Sequence, residues 1–172
     1  MYKREPLSKD HDREGFDCGS EPLNLFLRQT SRQHAERGIS RTFVLVEEGE
    51  AAPKPVVGFF SLSLCQVRSE TLPAKEAKRL PREAAAVRLG RLAVAKARQG
   101  QGVGGKLLVL AMAKFLEIFE VAGGIGLFVD AKDHAVRNYY ESFGFVPLTQ
   151  DGLELFLSVR AIKECLTSLP DR

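Results

Sequence analysis

Tryptophan is absent from this sequence, and cysteine occurs three times, at positions 18, 65 and 165. Three scattered thiols, an odd number with no CxxC among them, build neither a disulfide framework nor a zinc knuckle. The three histidines, at 11, 34 and 134, contain no HxxxH pair, so no metal site is expected. Aromatic residues make up only 8% of the chain, which leaves no aromatic-rich surface for stacking single-stranded bases. Met1–Gly19 has no apolar run of the kind a secretory leader needs. The longest apolar stretch, Leu107–Leu116, is broken by Lys114 and is shorter than the ~20 residues that cross a bilayer as a helix. These absences lead to the expectation of a cytoplasmic protein.

What is present is the composition of an ordinary globule. The chain is 44% hydrophobic and 27% charged over 172 residues, enough to bury a sizeable core, and residues 1–172 are expected to form one domain. A net charge of +3 does not by itself mark a nucleic-acid binder. The distribution says more. Between Arg68 and Arg98 nine Lys or Arg stand against three Glu, a local +6, so the rest of the chain sums to −3. Such a segment suits an anionic cofactor or a polyanionic partner, although any one of its charges serves equally well on a solvated face.

Hydrophobic periodicity divides the chain further. Residues 1–8 read as a short strand. Ser20 is placed to cap a helix that carries Pro22 in its first turn, Leu23, Phe26 and Leu27 on one face, and Gly38 beyond its end. Arg41–Glu47 and Val56–Val67 read as strands joined by a turn at 47–55, the second with Ser61 and Ser63 alternating against Leu62 and Leu64 as in a half-buried antiparallel strand. A polar stretch with Pro73 and Pro81 follows, then a strand at Val87–Val94, a glycine-rich loop and a long amphipathic helix ending at Gly123–Gly124. Ile125–Val129 is a buried strand, His134–Ser142 a helix closed by Gly144, and Phe145–Pro147 and Leu153–Val159 two last strands before a short tail helix. Antiparallel strands followed by a β-loop-α-β-α unit define an α+β fold, layered α/β/α, with a mixed, mostly antiparallel sheet flanked by helices.

The loop holds the first chemical signal. Gln99, Gly100, Gln101, Gly102, Val103, Gly104, Gly105 and Lys106 lie between a strand and a helix. Glycines let several backbone N–H groups converge, and the positive end of the helix macrodipole stands behind them, so the loop suits phosphate. Gly100, Gly105 and Lys106 also fit a Walker loop, but Leu107 stands where a Ser or Thr would ligate Mg²⁺. Gly100, Gly102 and Gly105 fit GxGxxG. Both of those folds place the loop after their first strand, whereas here most of the antiparallel strands precede it.

The surroundings match a third pattern. The loop resembles the acetyl-CoA loop of the GNAT acetyltransferases, Q/R-x-x-G-x-G/A, through Gln99, Gly102 and Gly104. Downstream, Asn138, Tyr140, Gly144 and Phe145 repeat that superfamily's spacing of Asn, Tyr and Gly-Phe. Phe16–Gly19 with Leu23–Arg28, Ser40–Val44, Val57–Leu62, Gly90–Val94 and Leu155–Leu157 look like segments of the GNAT-type toxins of type II toxin–antitoxin modules, a likeness spanning roughly residues 15–158. One departure is Ala95–Arg98, basic where many relatives carry an acid directly after the strand.

The resemblance implies an acetyl-CoA-dependent N-acetyltransferase. Its substrate would be the α-amine of aminoacyl-tRNA, and a ribbon-helix-helix antitoxin would neutralise it; a homodimer is compatible. A small-molecule amine or a protein N-terminus is the alternative acceptor, and a non-catalytic acyl-CoA- or antitoxin-binding module the alternative of another class. On this reading the Leu92, Ala93 and Val94 backbone and the loop Gln99–Lys106 hold the cofactor, with Asn138 on its pantetheine arm. Tyr140 is the acid for the leaving thiolate: a phenol near ~10 and a thiol near ~8.5 are balanced within about 2 kcal/mol. Tyr139 points about 100° away on the same helix and is assigned to packing. No general base stands out, Glu141 and Asp130 being guesses; an α-amine near ~7.7–8 is already partly neutral at pH 7. Arg91, inside the strand, is expected either to orient substrate or to pair with an acid. Arg79 and Arg82, with Arg68, Lys75, Lys78, Arg28, Arg32 and Arg37, form the candidate belt for RNA phosphates.

Overall fold

Residues 1–170 are described by a computed structural model of the chain, and the last two residues of the expected domain lie outside the described residues. In chain order the elements are β1 (Tyr2–Pro6), β2 (His11–Asp12), α1 (Glu21–Leu25), a π-helical turn (Phe26–Thr30), α2 (Ser31–Glu36), β3 (Arg41–Glu47), β4 (Lys54–Pro55) and β5 (Gly58–Arg68). There follow α3 (Ala74–Ala77), β6 (Glu83–Val94), α4 (Val103–Ala122), β7 (Gly126–Asp130), α5 (His134–Glu141), β8 (Val146–Pro147), β9 (Glu154–Ser158) and α6 (Val159–Thr167). Seven strands form one sheet in the order β1-β3-β5-β6-β7-β9-β8. β6 and β7 pair in parallel, whereas β1 with β3, β3 with β5, β7 with β9 and β8 with β9 pair antiparallel, so the sheet is mixed and mostly antiparallel, as expected. The chain divides into two compact units, 1–63 with 90–111 and 64–89 with 112 onward, and both β5 and β6 run through the two.

In the first unit the register pairs Thr42 with Ser61 and Val44 with Phe59, which sends Thr42, Val44 and Val46 to one face of β3. That face is covered by α1 and the π turn. Phe16, Phe26, Leu27, Val44, Val46, Val56, Phe59 and Ala93 form a single core, in which Phe26 stacks on Phe59 with ring centroids 6.1 Å apart. Each such side chain, fully buried, contributes about 1.5–3 kcal/mol. Phe43, on the other face of β3, stacks on Phe60 at 5.3 Å, and the opening turns of α4 bury Leu107, Leu108 and Ala111 completely.

Three local expectations change. Ser20 precedes α1 in extended conformation, but its side chain makes no capping bond; its carbonyl accepts from the Asn24 N–H instead. Leu62 is buried as expected, but Ser61 is buried as well and Leu64 is 77% exposed. The physical reason is that Gly58–Leu62 is covered on both faces, while the farther half of β5 is covered on one. The segment before Val56 is not simply a turn, because Lys54–Pro55 pairs in parallel with His11–Asp12.

In the second unit Val87–Leu89 of β6 pairs with Leu127–Val129 of β7, and β6 begins at Glu83, four residues earlier than its apolar pattern indicated. Antiparallel β9 lies between β7 and β8. Phe128 and Phe156, paired across β7 and β9 with centroids 4.8 Å apart, centre a core with Val67, Leu72 and Ala86. Asp133 caps α5, its side chain accepting from the Val136 N–H at 2.9 Å, and this cap fixes where the helix carrying Asn138 and Tyr140 begins.

Candidate functional site

After β6 the chain makes a 3-10 turn, Lys96–Arg98, and is braced on three sides. The Lys96 N–H donates to the Asp17 carbonyl at 2.9 Å, and its ammonium lies 3.1 Å from the Asp17 carboxylate. That carboxylate also accepts from Asn24 Nδ2 and the Gly19 N–H; these bonds, Asn24 first, hold its pKa down at about 2. Arg98 forms an ion pair with Glu47. Gln99 donates its amide to two carbonyls, Cys18 at 2.8 Å and Val94 at 2.9 Å. The basic departure from the family pattern at 95–98 is therefore absorbed by Asp17 and Glu47. The side chains of Gln99 and of Gln101, which donates to the Ala97 carbonyl, shape the loop from within.

Beyond this brace the loop opens. Gly100 and Gly102 have φ of +74° and +77°, and a Cβ at either would meet nothing within 4 Å. Glycine is needed there for conformation, not for lack of room. The Lys106 N–H returns to the Gly102 carbonyl at 3.2 Å. Ahead of it, the first-turn N–H groups of Val103, Gly104 and Gly105 have no carbonyl one turn back inside the helix. No acidic side chain occupies that turn, and Lys106 places its ammonium 5.2 Å from the Tyr2 ring centroid. Free helix-terminal N–H groups, the helix dipole and a nearby lysine are the features that suit an anion cradle.

The strand leading into the loop contributes differently at each position. Ala93 is buried in the core, while Leu92 and Val94 are half-buried. Arg91 sets its guanidinium carbon over Phe26, 3.8 Å from the ring centroid, and makes no ion pair among the described residues. Burial lowers its pKa, and no carboxylate among the described residues neutralises it. Of the two roles expected for Arg91, pairing with an acid is not the one seen.

In the second unit Tyr140 is buried, 9% exposed, and edge-on to Phe145 at 5.4 Å and to Tyr139 at 5.8 Å. Burial, helped by Tyr139, pushes its phenol up to about 12. The neighbouring Tyr139 is 39% exposed and edge-on to Phe143, and Asn138 is exposed. Neither guessed base is free: Asp130 is paired with Arg88, and Glu141 with Arg137 at 3.7 Å. Arg79 and Arg82 are exposed, as are Arg68, Lys75 and Lys78. The phosphate loop and Arg91 thus belong to the first unit, and Asn138, Tyr140, Arg79 and Arg82 to the second. The Arg91–Phe26 stack and the Asp17 brace were not foreseen; no spacing rule links residues so far apart in the chain.

A mixed sheet whose glycine loop offers helix-terminal N–H groups to an anion, with a buried tyrosine on a later helix, is the arrangement of an acyl-CoA-using transferase. The family described as acetyltransferase (GNAT) domain matches residues 38–147, and the chain belongs to it. It is 29% identical over 154 residues to a tRNA-acetylating toxin of Mycobacterium tuberculosis, the match covering 90% of each chain. Among solved structures it resembles AtaT complexed with acetyl-methionyl-tRNAfMet, at 31% identity and a TM-score of 0.86 over 95% of this chain and 98% of that one. It also resembles a mutant AtaT toxin bound to the C-terminus of the antitoxin AtaR and acetyl-CoA, at 29% identity and a TM-score of 0.80 over 97% and 99%. No helix among the described residues is long and apolar enough to cross a membrane.

Proposed function

We propose that residues 1–172 act as one catalytic domain that moves the acetyl group of acetyl-CoA to the α-amine of aminoacyl-tRNA. On this reading the protein is a cytoplasmic, translation-blocking toxin controlled by a ribbon-helix-helix antitoxin. The observation that carries the reading is the anion cradle at Gly100–Lys106, in a chain similar along most of its length to tRNA-acetylating toxins.

Acetyl-CoA, when bound, supplies a thioester whose acyl carbon an amine can attack. The N–H groups of Val103, Gly104 and Gly105 take its phosphates, with Lys106 nearby. A backbone N–H within Leu92–Val94 polarises the carbonyl oxygen of the thioester, and Asn138 holds the pantetheine arm. As the C–N bond forms and the C–S bond breaks, the thiolate must gain a proton and the amine must lose one. Tyr140 provides the first. With its phenol near 12, complete transfer to a thiolate of pKa ~8.5 is uphill by about 5 kcal/mol, at 1.36 kcal/mol per pKa unit. Burial thus shifts Tyr140 from the nearly balanced acid that an ordinary phenol would be to a neutral hydrogen-bond donor that yields its proton only as C–S cleavage proceeds. The amine's proton passes to water, since Asp130 and Glu141 are both paired. Arg91 provides a fixed positive charge for the acylated end of the RNA, and Arg79 and Arg82 contact phosphates farther along it.

Inducible expression of the wild type and of Tyr140→Phe in a bacterial host, with growth and label from acetyl-CoA on aminoacyl-tRNA as readouts, tests this. Growth arrest with labelled tRNA in the wild type alone supports the toxin and the acid together. Normal growth with unlabelled tRNA, in a protein that still binds acetyl-CoA, moves the acceptor to a small amine or a protein N-terminus. Binding without any turnover would leave a non-catalytic acyl-CoA-binding module.

A further inference from the structure

Within the first unit a cavity of about 470 Å³ opens between the end of β1, the segment that follows it, α2 and the start of β3. Four cationic side chains line it, Lys9, Arg13, Arg32 and Arg41, against a single carboxylate, Glu36. That carboxylate is already taken, 3.0 Å from Arg32 Nε. Arg13 spends one N–H on the Arg28 carbonyl at 3.3 Å and keeps the rest of its fork. Lys9 and Arg41 are exposed and make no ion pair among the described residues. Thr42, in the wall, is 6% exposed, and its hydroxyl has no hydrogen-bond partner among the described residues. The cavity therefore concentrates positive charge that the protein itself does not balance.

The groove shares a helical segment with Phe26, the ring beneath Arg91. The chain runs from Phe26, beneath Arg91, to Arg32 in the groove wall, six residues or roughly 9 Å of helix. We propose that this groove binds the sugar-phosphate backbone of the RNA substrate a few nucleotides from its acylated end, an inference that rests on the aminoacyl-tRNA reading above. Arginine forks donate paired N–H bonds to phosphate oxygens, and exposed lysines follow a backbone without reading bases. The aromatic residue in the wall, Phe43, is only 8% exposed, so no ring is offered for base stacking. Addition of a peptide strand at the adjoining edge strand β1 is disfavoured, because β1 ends in Pro6, which has no N–H to donate.

The test uses the full chain and deacylated tRNA as the probe. Binding is titrated across a series of salt concentrations for the wild type and for the double variant Lys9→Glu/Arg41→Glu. The expected result is at least a tenfold loss of tRNA affinity, with a log K against log salt slope shallower by roughly 1.5–2, the signature of two lost phosphate contacts. Acetyl-CoA affinity should be unchanged in the same preparation, which separates loss of the groove from loss of the fold. Equal affinity and slope in both proteins overturn the groove while leaving the aminoacyl-tRNA reading intact. A wild type that does not bind tRNA overturns both. Unchanged tRNA binding, with capture of a polyglutamate peptide abolished in the double variant, assigns the groove to an acidic peptide instead.

Discussion

Arg91 and Phe26 are sixty-five positions apart in sequence, yet the guanidinium of one lies 3.8 Å from the ring centroid of the other. The ring is itself locked, stacked on Phe59 and edge-on to His34 at 5.5 Å. Phe26 thus holds Arg91 in place without cancelling its charge, which a carboxylate would do. A cation at this spacing contributes about 0.5–2 kcal/mol, depending on how far it is desolvated. If Arg91 positions the acylated RNA end, Arg91→Gln should raise the KM for aminoacyl-tRNA about tenfold or more, the equivalent of at least 1.4 kcal/mol, with little change in KM for acetyl-CoA. Phe26→Leu keeps most of the buried volume and removes the ring, so it should fall between wild type and Arg91→Gln. Steady-state kinetics with both substrates varied checks this, and an equal loss for both substrates would remove Arg91 from acceptor binding.

Tyr140 is packed by its ring and, in the proposed mechanism, acts by its hydroxyl, so these two roles separate. Tyr140→Phe keeps the edge-on contact with Phe145, so thermal unfolding should shift by no more than a degree or two. The rate of acetyl transfer should fall by about 10²–10⁴, the usual contribution of a positioned acid. Tyr139→Phe, altering a half-exposed neighbour, should change it by less than about threefold. Single-turnover assays on the three proteins give the comparison directly.

At the cradle the backbone conformation is the quantity at stake. Gly100→Ala or Gly102→Ala forces a Cβ into a left-handed conformation at a cost of about 1–2 kcal/mol per position. The Cβ meets no neighbour, so the chain can relax its φ and move the N–H groups instead. Acetyl-CoA affinity, measured by calorimetry, should drop about tenfold while overall stability changes little. Unaltered affinity would place the phosphates elsewhere.

A pH dependence follows from Glu5. Its carboxylate lies 2.9 Å from Lys54 Nζ and 2.9 Å from His11 Nε2, and these bonds, Lys54 first, hold its pKa down at about 2 from an ordinary value of 4.5. A depressed carboxylate stabilises the fold above its unfolded pKa. That stabilisation is lost as pH falls through the folded value. Because the pair is not deeply buried, the gain is discounted to about 1 kcal/mol for solvent screening. Glu5→Gln should therefore be less stable than wild type by about that amount at neutral pH. The difference should narrow between pH 4.5 and about 2, as read from urea melts along a pH series.

Much of this protein was decided locally. The Gly100–Lys106 loop, the Asn138–Phe145 spacing and the β-branched and aromatic run of Arg41–Glu47 are short-range patterns in which the residue type itself dictates the backbone: glycine where φ must be positive, β-branched and aromatic residues where a strand is buried. These patterns placed the glycine loop and the tyrosine helix without any three-dimensional information, and they carried the fold class with them. The tertiary structure decided what depends on neighbours distant in sequence. The two-sided cover that buries Ser61 and exposes Leu64, the carboxylates of Asp17 and Glu47 that absorb Lys96 and Arg98, and the partners that occupy Asp130 and Glu141 are set by packing, which no local window contains. So are the burial that raises the Tyr140 phenol and the ring beneath Arg91, because desolvation and cation–π attraction depend on which surfaces meet rather than on which residues are adjacent in the chain.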